Sequence, residues 1–290
     1  MSTPHDIAVI IVSWNVREQL LACLASLHAL PEAEQPNTIW VVDNASTDGS
    51  AVAVRAQFPE VRLLAQATNV GFATANNLVL QQIAEPFALL LNPDTLVPAG
   101  CFPALLAAAE RNPRAGIVGP KLLNLDGSWQ PSVRRLPHVW TLVGIALKVT
   151  HWWPSLLRKY LAKDLDPSKE QKVEQLMGAA LLIRKDVWKH IGLLDTHFHV
   201  WFEEVDYCAR TKQAGWDIWY VPDAVLTHLG GQSFRQVPSV RRQRQWMQSV
   251  NVYARKYFTL PSHVLIWCAG WIGLFLVWLA SLVTPEKKAT

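Results

Sequence analysis

The chain has 290 residues, half of them hydrophobic, and a net charge of +4 from 27 Lys and Arg against 23 Asp and Glu. That is enough for one large domain or two small ones, and the basic surplus is too slight to point to nucleic acid. Four dispersed cysteines, Cys23, Cys101, Cys208 and Cys268, form no CxxC or His/Cys spacing, which speaks against zinc and for a reducing compartment. The N-terminus lacks a basic region and the apolar run 7–12 is too short for a signal peptide, so the bulk of the chain is expected in the cytoplasm.

The first half alternates apolar strands with amphipathic helices, which predicts an α/β fold with a mostly parallel sheet flanked by helices. Strands are expected at 7–14, 38–43, 61–66 and 86–92, and a further one begins at AGIVGP. Helices are expected at about 16–30, ended by Pro31, then from a cap at Ser46 or Thr47 to Phe58, at 72–83, and from Pro98 to Glu110. The pattern blurs near 126–174, and an aromatic-rich insert at about 136–174 carries Trp140, Trp152, Trp153 and Tyr160. It reads as a membrane-surface element or as a flap over the site. Strand character returns at 175–185, a helix is expected at 203–214, short strands at 218–221 and 225–228, and a helix at 240–257.

Residues 1–235 thus read as a catalytic domain, 236–262 as a basic juxtamembrane helix and 263–284 as a membrane helix. Residues 264–283 hold twenty positions without a charge, long enough at 1.5 Å per residue to match a bilayer core. Because the segment is apolar around its circumference, a transmembrane helix ranks above a helix docked on the domain. The basic cluster Arg235, Arg241, Arg242, Arg244, Arg255 and Lys256 places its near flank inside, while the tail PEKKAT, with two lysines, pulls the other way.

Ligands of such a sheet bind beyond the carboxyl ends of its strands. Ser13 and Asn15 follow the first strand, Asp43 and Asn44 the second, Asn92 and Asp94 the fourth. Asp43 suits a base N–H or ribose hydroxyl, or simply a turn. In NVGFATANN, Gly71 allows close backbone approach and the helix start is expected to offer free N–H groups to a phosphate. There is no GxGxxG fingerprint for a nicotinamide cofactor. Asp94, leaving a buried strand, suits Mg2+ or Mn2+, or belongs to an Asn-Pro turn. FEEVDYCAR packs Glu203, Glu204 and Asp206 into one helix start. Three acids so close raise the pKa of one of them, as a general base needs, unless they form an ordinary charged first turn. His228 closes a strand as a metal ligand, a diphosphate donor or a structural histidine.

In order, VIIVSWN, VVDNASTDGS, NVGFATANN, LLLNPD, MGAALLIRK, FEEVDYCAR and VLTH resemble family 2 glycosyltransferases, nearest their rhamnosyltransferase-like subgroup, over about residues 6–230. The resemblance implies a GT-A fold and inverting, metal-dependent transfer of one sugar from a nucleotide-diphospho-sugar. It favours dTDP-rhamnose, with UDP- or GDP-sugars as alternatives. The acceptor it suggests is a membrane-associated or lipid-linked saccharide in cell-surface polysaccharide synthesis, reached from the cytoplasmic face. It implies a donor pocket lined by Ser13, Asn15, Asp43, Asn44, Asn69, Gly71, Asn76 and Asn92. The metal falls to Asp94, where Asn92 replaces the first acid of an Asp-any-Asp motif, and to His228. Glu204 is the implied base, with Glu203 or Asp206 able to share the role, and Gly178, Ala179 and Trp201 border sugar and acceptor.

Three rivals stand beside it. A processive synthase would carry QxxRW and several spans, whereas Gln243, Arg244, Gln245 and Trp246 only approximate that motif. A nucleotidyltransferase would need a Gly-rich basic phosphate loop, which SWNVREQ does not supply. A non-catalytic membrane scaffold with a transferase fold is the third.

Overall fold

The computed structural model describes residues 2–231 and 236–283. In chain order its strands are β1 (Ile7–Ser13), β2 (Thr38–Asp43), β3 (Arg62–Ala65), β4 (Phe87–Leu91), β5 (Thr95–Leu96), β6 (Ala115–Leu123), β7 (Trp129–Gln130), β8 (Val133–Arg134), β9 (Gln171–Lys172), β10 (Gln175–Leu176), β11 (Ala180–Arg184) and β12 (Asp217–His228). The helices are α1 (Arg17–His28), α2 (Ser50–Gln57), α3 (Phe72–Leu80), α4 (Cys101–Arg111), α5 (Val139–Ala146), α6 (Lys185–Ile191), α7 (Glu203–Gln213), α8 (Ser239–Tyr257) and α9 (Leu260–Val283).

The main sheet runs β3-β2-β1-β4-β11-β6-β12-β5. β1 is parallel to β2 and β4, β2 to β3, and β6 to β12. β11 is antiparallel to both β4 and β6 and joins the two parallel blocks. β1 is buried at every residue, as a strand covered on both faces must be. Its side chains alternate between two cores: Ile7, Val9 and Ile11 meet α1 and α4, while Ala8, Ile10 and Val12 meet α3, α6 and α7. β2 and β4 flank β1 on opposite sides, so the order reverses there and a crevice opens at the carboxyl ends.

Three expected details differ. Neither Ser46 nor Thr47 caps α2. The helix starts at Ser50, whose N–H and hydroxyl donate to Asp48, while Ser46 and Thr47 bond Asn15. The run 175–185 is broken into β10 and β11 by Met177, Gly178 and Ala179. The two short strands near the C-terminus are one strand, β12, with an irregularity between Val221 and Val225.

A third core joins α5, the start of α7, α8 and α9 through Leu142, Ala146, Phe202, Val205, Tyr253, Ile266 and Ala269. α9 therefore does not stand alone. Its Ile266–Ala269–Gly270–Gly273 stripe is docked, and a Cβ on Gly273 would overlap the Ala146 carbonyl, so α5 and α9 touch backbone to backbone. Trp267, Trp271, Phe275 and Trp278 of α9 are exposed. Arg235 of the basic cluster and the tail 285–290 lie outside the described residues.

Candidate active site

Beyond the ends of β1 and β4 lies a cavity of about 310 Å³. Of the expected donor residues, Ser13, Asn44, Asn69, Gly71 and Asn92 line it together with Asp94. Ser13 Oγ is buried without a partner, as is Oδ1 of Asp43 just behind it, while Asp43 Oδ2 accepts from the Ser46 N–H at 3.1 Å. Buried polar atoms are ordinarily paired, so two orphans at one strand end mark a place where a ligand can supply the partner.

The loops around this cavity are stitched to one another. Asn15, at φ 51°, donates its N–H to Ser46 Oγ and accepts from the Thr47 N–H, so it braces the wall rather than lining it. Asn44 Oδ1 accepts from the Val70 N–H, and Asn69 Oδ1 from the Gly71 N–H. The Phe72 N–H donates to the His199 carbonyl at 3.0 Å. These bonds occupy the N–H groups of Val70, Gly71 and Phe72 at the start of α3. Asn76 departs from the expected pocket. It is wholly enclosed, its Nδ2 donates back to the Phe72 carbonyl, and it does not line the cavity.

At the other end of the cavity β5 pairs with β12, setting Thr95 opposite His228. This brings His228 Nε2 to 3.4 Å from Asp94 Oδ1 and 3.3 Å from Asn92 Nδ2. Gln130 fixes the ring. Its Nε2 donates to Asn124 Oδ1 and to the His228 carbonyl, which leaves Oε1 facing Nδ1 at 2.7 Å. Nδ1 therefore donates to Gln130, and Nε2 is turned toward Asp94.

One carboxylate, one imidazole and a neighbouring amide make a partial ligand set. Among the described residues no three His, Cys, Asp or Glu form a self-sufficient cage. The set fits a Mg2+- or Mn2+-type ion that takes one or two protein ligands and completes its shell with substrate phosphate and water.

The acids of α7 separate on inspection. Trp201 and Phe202, just before the helix, both have positive φ, at 62° and 69°. Strained residues of this kind persist where the surroundings hold them, often at working sites. Glu204 lies against Gly178, where an added Cβ would meet its Cγ at 3.5 Å. Its neighbour Ala179 accepts the Asn92 N–H at 2.9 Å, so Glu204 stands one residue away from the strand end that carries Asp94. Glu204 is not among the residues lining the cavity. Burial pushes its pKa above the usual carboxylate value, against the backbone N–H groups of the helix start. Glu203 is enclosed, with Oε2 unpartnered. Burial first, and then the charge of Glu204, hold its pKa well above the ordinary range.

Asp206 leaves the catalytic set. It is wholly buried, and its oxygens are taken by Arg210 at 2.8 Å, Lys256 at 2.7 Å and the Tyr257 hydroxyl at 2.8 Å. It is a structural anchor between α7 and α8. The Ala179 methyl is likewise in the core, so only its carbonyl serves the site. Trp201 packs against the α5–α8–α9 core.

A second cavity, about 730 Å³, lies on the far side of His228 and is lined by Trp129, Arg134, Lys163 and Met177 among others. Residues passed over in the sequence are Gln130, Arg134, His199, Arg241 and Gln245. The last two belong to α8 yet line the first cavity. Arg241 was read only as part of a basic cluster and Gln245 only as part of a QxxRW-like stretch, and no motif marks Gln130, Arg134 or His199.

A mostly parallel sheet flanked by helices, with a cavity beyond the carboxyl ends of β1 and β4, is the arrangement of a GT-A fold. The chain matches the family described as "Glycosyltransferase like family 2" over residues 4–258 and belongs to it. It is 33% identical over 244 residues to an N-acetylglucosaminyl-diphospho-decaprenol L-rhamnosyltransferase of Mycobacterium tuberculosis, covering 80% of this chain and 78% of that one. A low-salt glycan biosynthesis hexosyltransferase of Haloferax volcanii is 23% identical over 215 residues, 72% of this chain and 62% of that one. Among solved structures, a Pyrobaculum calidifontis mannosyltransferase in complex with GDP-Man and Mn2+ has TM-score 0.56 and 18% identity, covering 99% of this chain and 79% of that one. GalNAc-T7 with UDP, GalNAc and Mn2+ has TM-score 0.61 and 15% identity over 86% of this chain and 47% of that one.

Proposed function

We propose that the protein transfers one sugar, with inversion, from a nucleotide-diphospho-sugar to a hydroxyl of a lipid-linked saccharide in cell-envelope glycan synthesis. dTDP-rhamnose is the favoured donor, in keeping with the activity named for the mycobacterial relative. The protein works at the cytoplasmic face of the plasma membrane, where α9 holds it. The observation that carries this reading is the pairing of Asp94 with His228 at one end of the donor cavity, with Glu204 beside Gly178 a residue away from the same strand end.

Ser13, Asp43 and Asn44 receive the nucleoside, and the unpartnered oxygens of Ser13 and Asp43 gain their missing bonds from it. Asp94 and His228 would hold a divalent cation, which when bound would supply positive charge to the diphosphate leaving group. Glu204 takes the proton of the acceptor hydroxyl. Burial raises its pKa, which makes it a stronger base than a solvated carboxylate. Gly178 leaves room beside it for the acceptor.

The test is a thermal-shift panel of dTDP-, UDP- and GDP-sugars with Mn2+, followed by transfer to a polyprenyl-diphospho-N-acetylglucosamine. A ligand at a hundred times its Kd stabilises the fold by about 2.7 kcal/mol. The reading requires stabilisation by dTDP-rhamnose above the other sugars, and a rhamnosylated lipid product. No shift with any nucleotide-sugar would return the protein to the scaffold reading.

A further inference from the structure

α9 is able to cross a membrane by length and composition, and 22% of its apolar window is buried. Its partners determine whether it can do so in this fold. α8 runs antiparallel along it, and three contacts give the register. His263 Nε2 lies 2.6 Å from Asn251 Oδ1, a Cβ on Gly270 would meet Met247 Cε at 2.9 Å, and Leu274 shares a cavity with Arg241 and Arg244. α5 covers another flank at Gly273.

A bilayer core takes about 20 helical residues. Any such window within 260–283 has its centre between about 269 and 274, which puts Leu274 within about 7 Å of the midplane. Arg241 and Arg244 would be carried to the same depth, where a charged side chain is costly. Arg241 also lines the donor cavity, so the nucleotide site itself would be drawn into hydrocarbon.

We infer that α9 lies in the plane of one leaflet, docked on α8 and α5, with both of its ends on the side of the sugar-transfer domain. The partner is a lipid leaflet. The free face offers Trp267, Trp271, Phe275 and Trp278, and the insert adds exposed Trp140, Trp152 and Trp153. Trp prefers the boundary between headgroups and acyl chains over the bilayer centre. Arg242 and Arg244, exposed on α8, complement anionic headgroups. The donor cavity mouth, through Arg241 and Gln245, then sits level with the membrane surface.

The test uses the full chain in vesicles of phosphatidylethanolamine and phosphatidylglycerol. Nitroxide labels are placed singly at Val264, Ile272, Phe275, Leu279 and Leu282 in a Cys268→Ser background, since Cys23, Cys101 and Cys208 are buried. Depth is read from oxygen and nickel-chelate accessibility. A protease-cleavable tag after residue 290, on the otherwise unaltered chain, gives a second readout. The expected result is one shallow depth for all five labels, about 5–10 Å into the boundary, and a tag cleaved from the side of the catalytic domain. Labels deepest at Ile272 and shallow at both ends, a protected tag, or no vesicle binding would each overturn the inference. Neither readout involves donor or acceptor, so a failure here is distinct from a failure of the transfer reading.

Discussion

Glu203 and Glu204 are adjacent, yet their surroundings give them different work. Glu203 has an unpartnered oxygen in a closed site, and its raised pKa makes its ionisation a load on the fold. The folded state binds that proton more tightly than the unfolded chain. The stability it contributes is therefore complete below the ordinary value of 4.5 and is lost as pH rises toward the folded pKa. Glu203→Gln removes the load. Urea melts at several pH values are expected to show the variant losing less stability than the parent from pH 4.5 upward. Gln130 acts through another residue. With Gln130→Leu the His228 tautomer is no longer fixed, and Mn2+ affinity by calorimetry is expected to fall about 10–100-fold while the melting temperature barely moves. Asp94 and Glu204 were legible in the sequence because each sits in a motif at the end of a regular element. Gln130 was not, since its role arises only when β7 and β12 both pair with β6 and its side chain reaches His228.

At the scale of elements, the positions that matter are those where two backbones meet. Gly71 opens α3 at φ 84°, and a Cβ there would stand 2.7 Å from the His199 carbonyl. Gly71→Ala is expected to lose at least about 1–2 kcal/mol from the left-handed backbone alone, read as a lower melting temperature, together with weaker nucleotide binding. Alternating strands and helices in the first half could be read from period and turn residues, and their bounds differ from the structure by a few positions. Asp206 could not be placed in this way. In sequence it is one more acid in FEEVD, and its partners Lys256 and Tyr257 come from a helix fifty positions away. Asp206→Ala leaves the Arg210 and Lys256 cations against an enclosed gap and is expected to destabilise the fold by about 3–5 kcal/mol, measured by denaturant unfolding. A catalytic acid would instead lose rate with the fold intact. α9 was legible as apolar and long enough to span. Its docked stripe of Ala269, Gly270 and Gly273 shows only against α5 and α8, because small residues carry little hydrophobic signal.

For the whole molecule, the β1–β4 switch point gathers the donor cavity, the Asp94–His228 pair and the Gly178–Glu204 contact at one edge of the sheet, with the α5–α8–α9 layer beside them. In the proposed reaction donor capture and proton removal fall to different strand and helix ends, so they are separable by mutation. Calorimetric titration of dTDP-rhamnose with Mn2+ into the wild type, Asp94→Asn and Glu204→Gln tests this most directly, with transfer rate measured on the same preparations. The account predicts that Asp94→Asn loses Mn2+-dependent binding. Glu204→Gln should bind the donor as the wild type does while its turnover falls about 10²–10⁴-fold. Normal donor binding in Asp94→Asn, or near-normal turnover in Glu204→Gln, would contradict it.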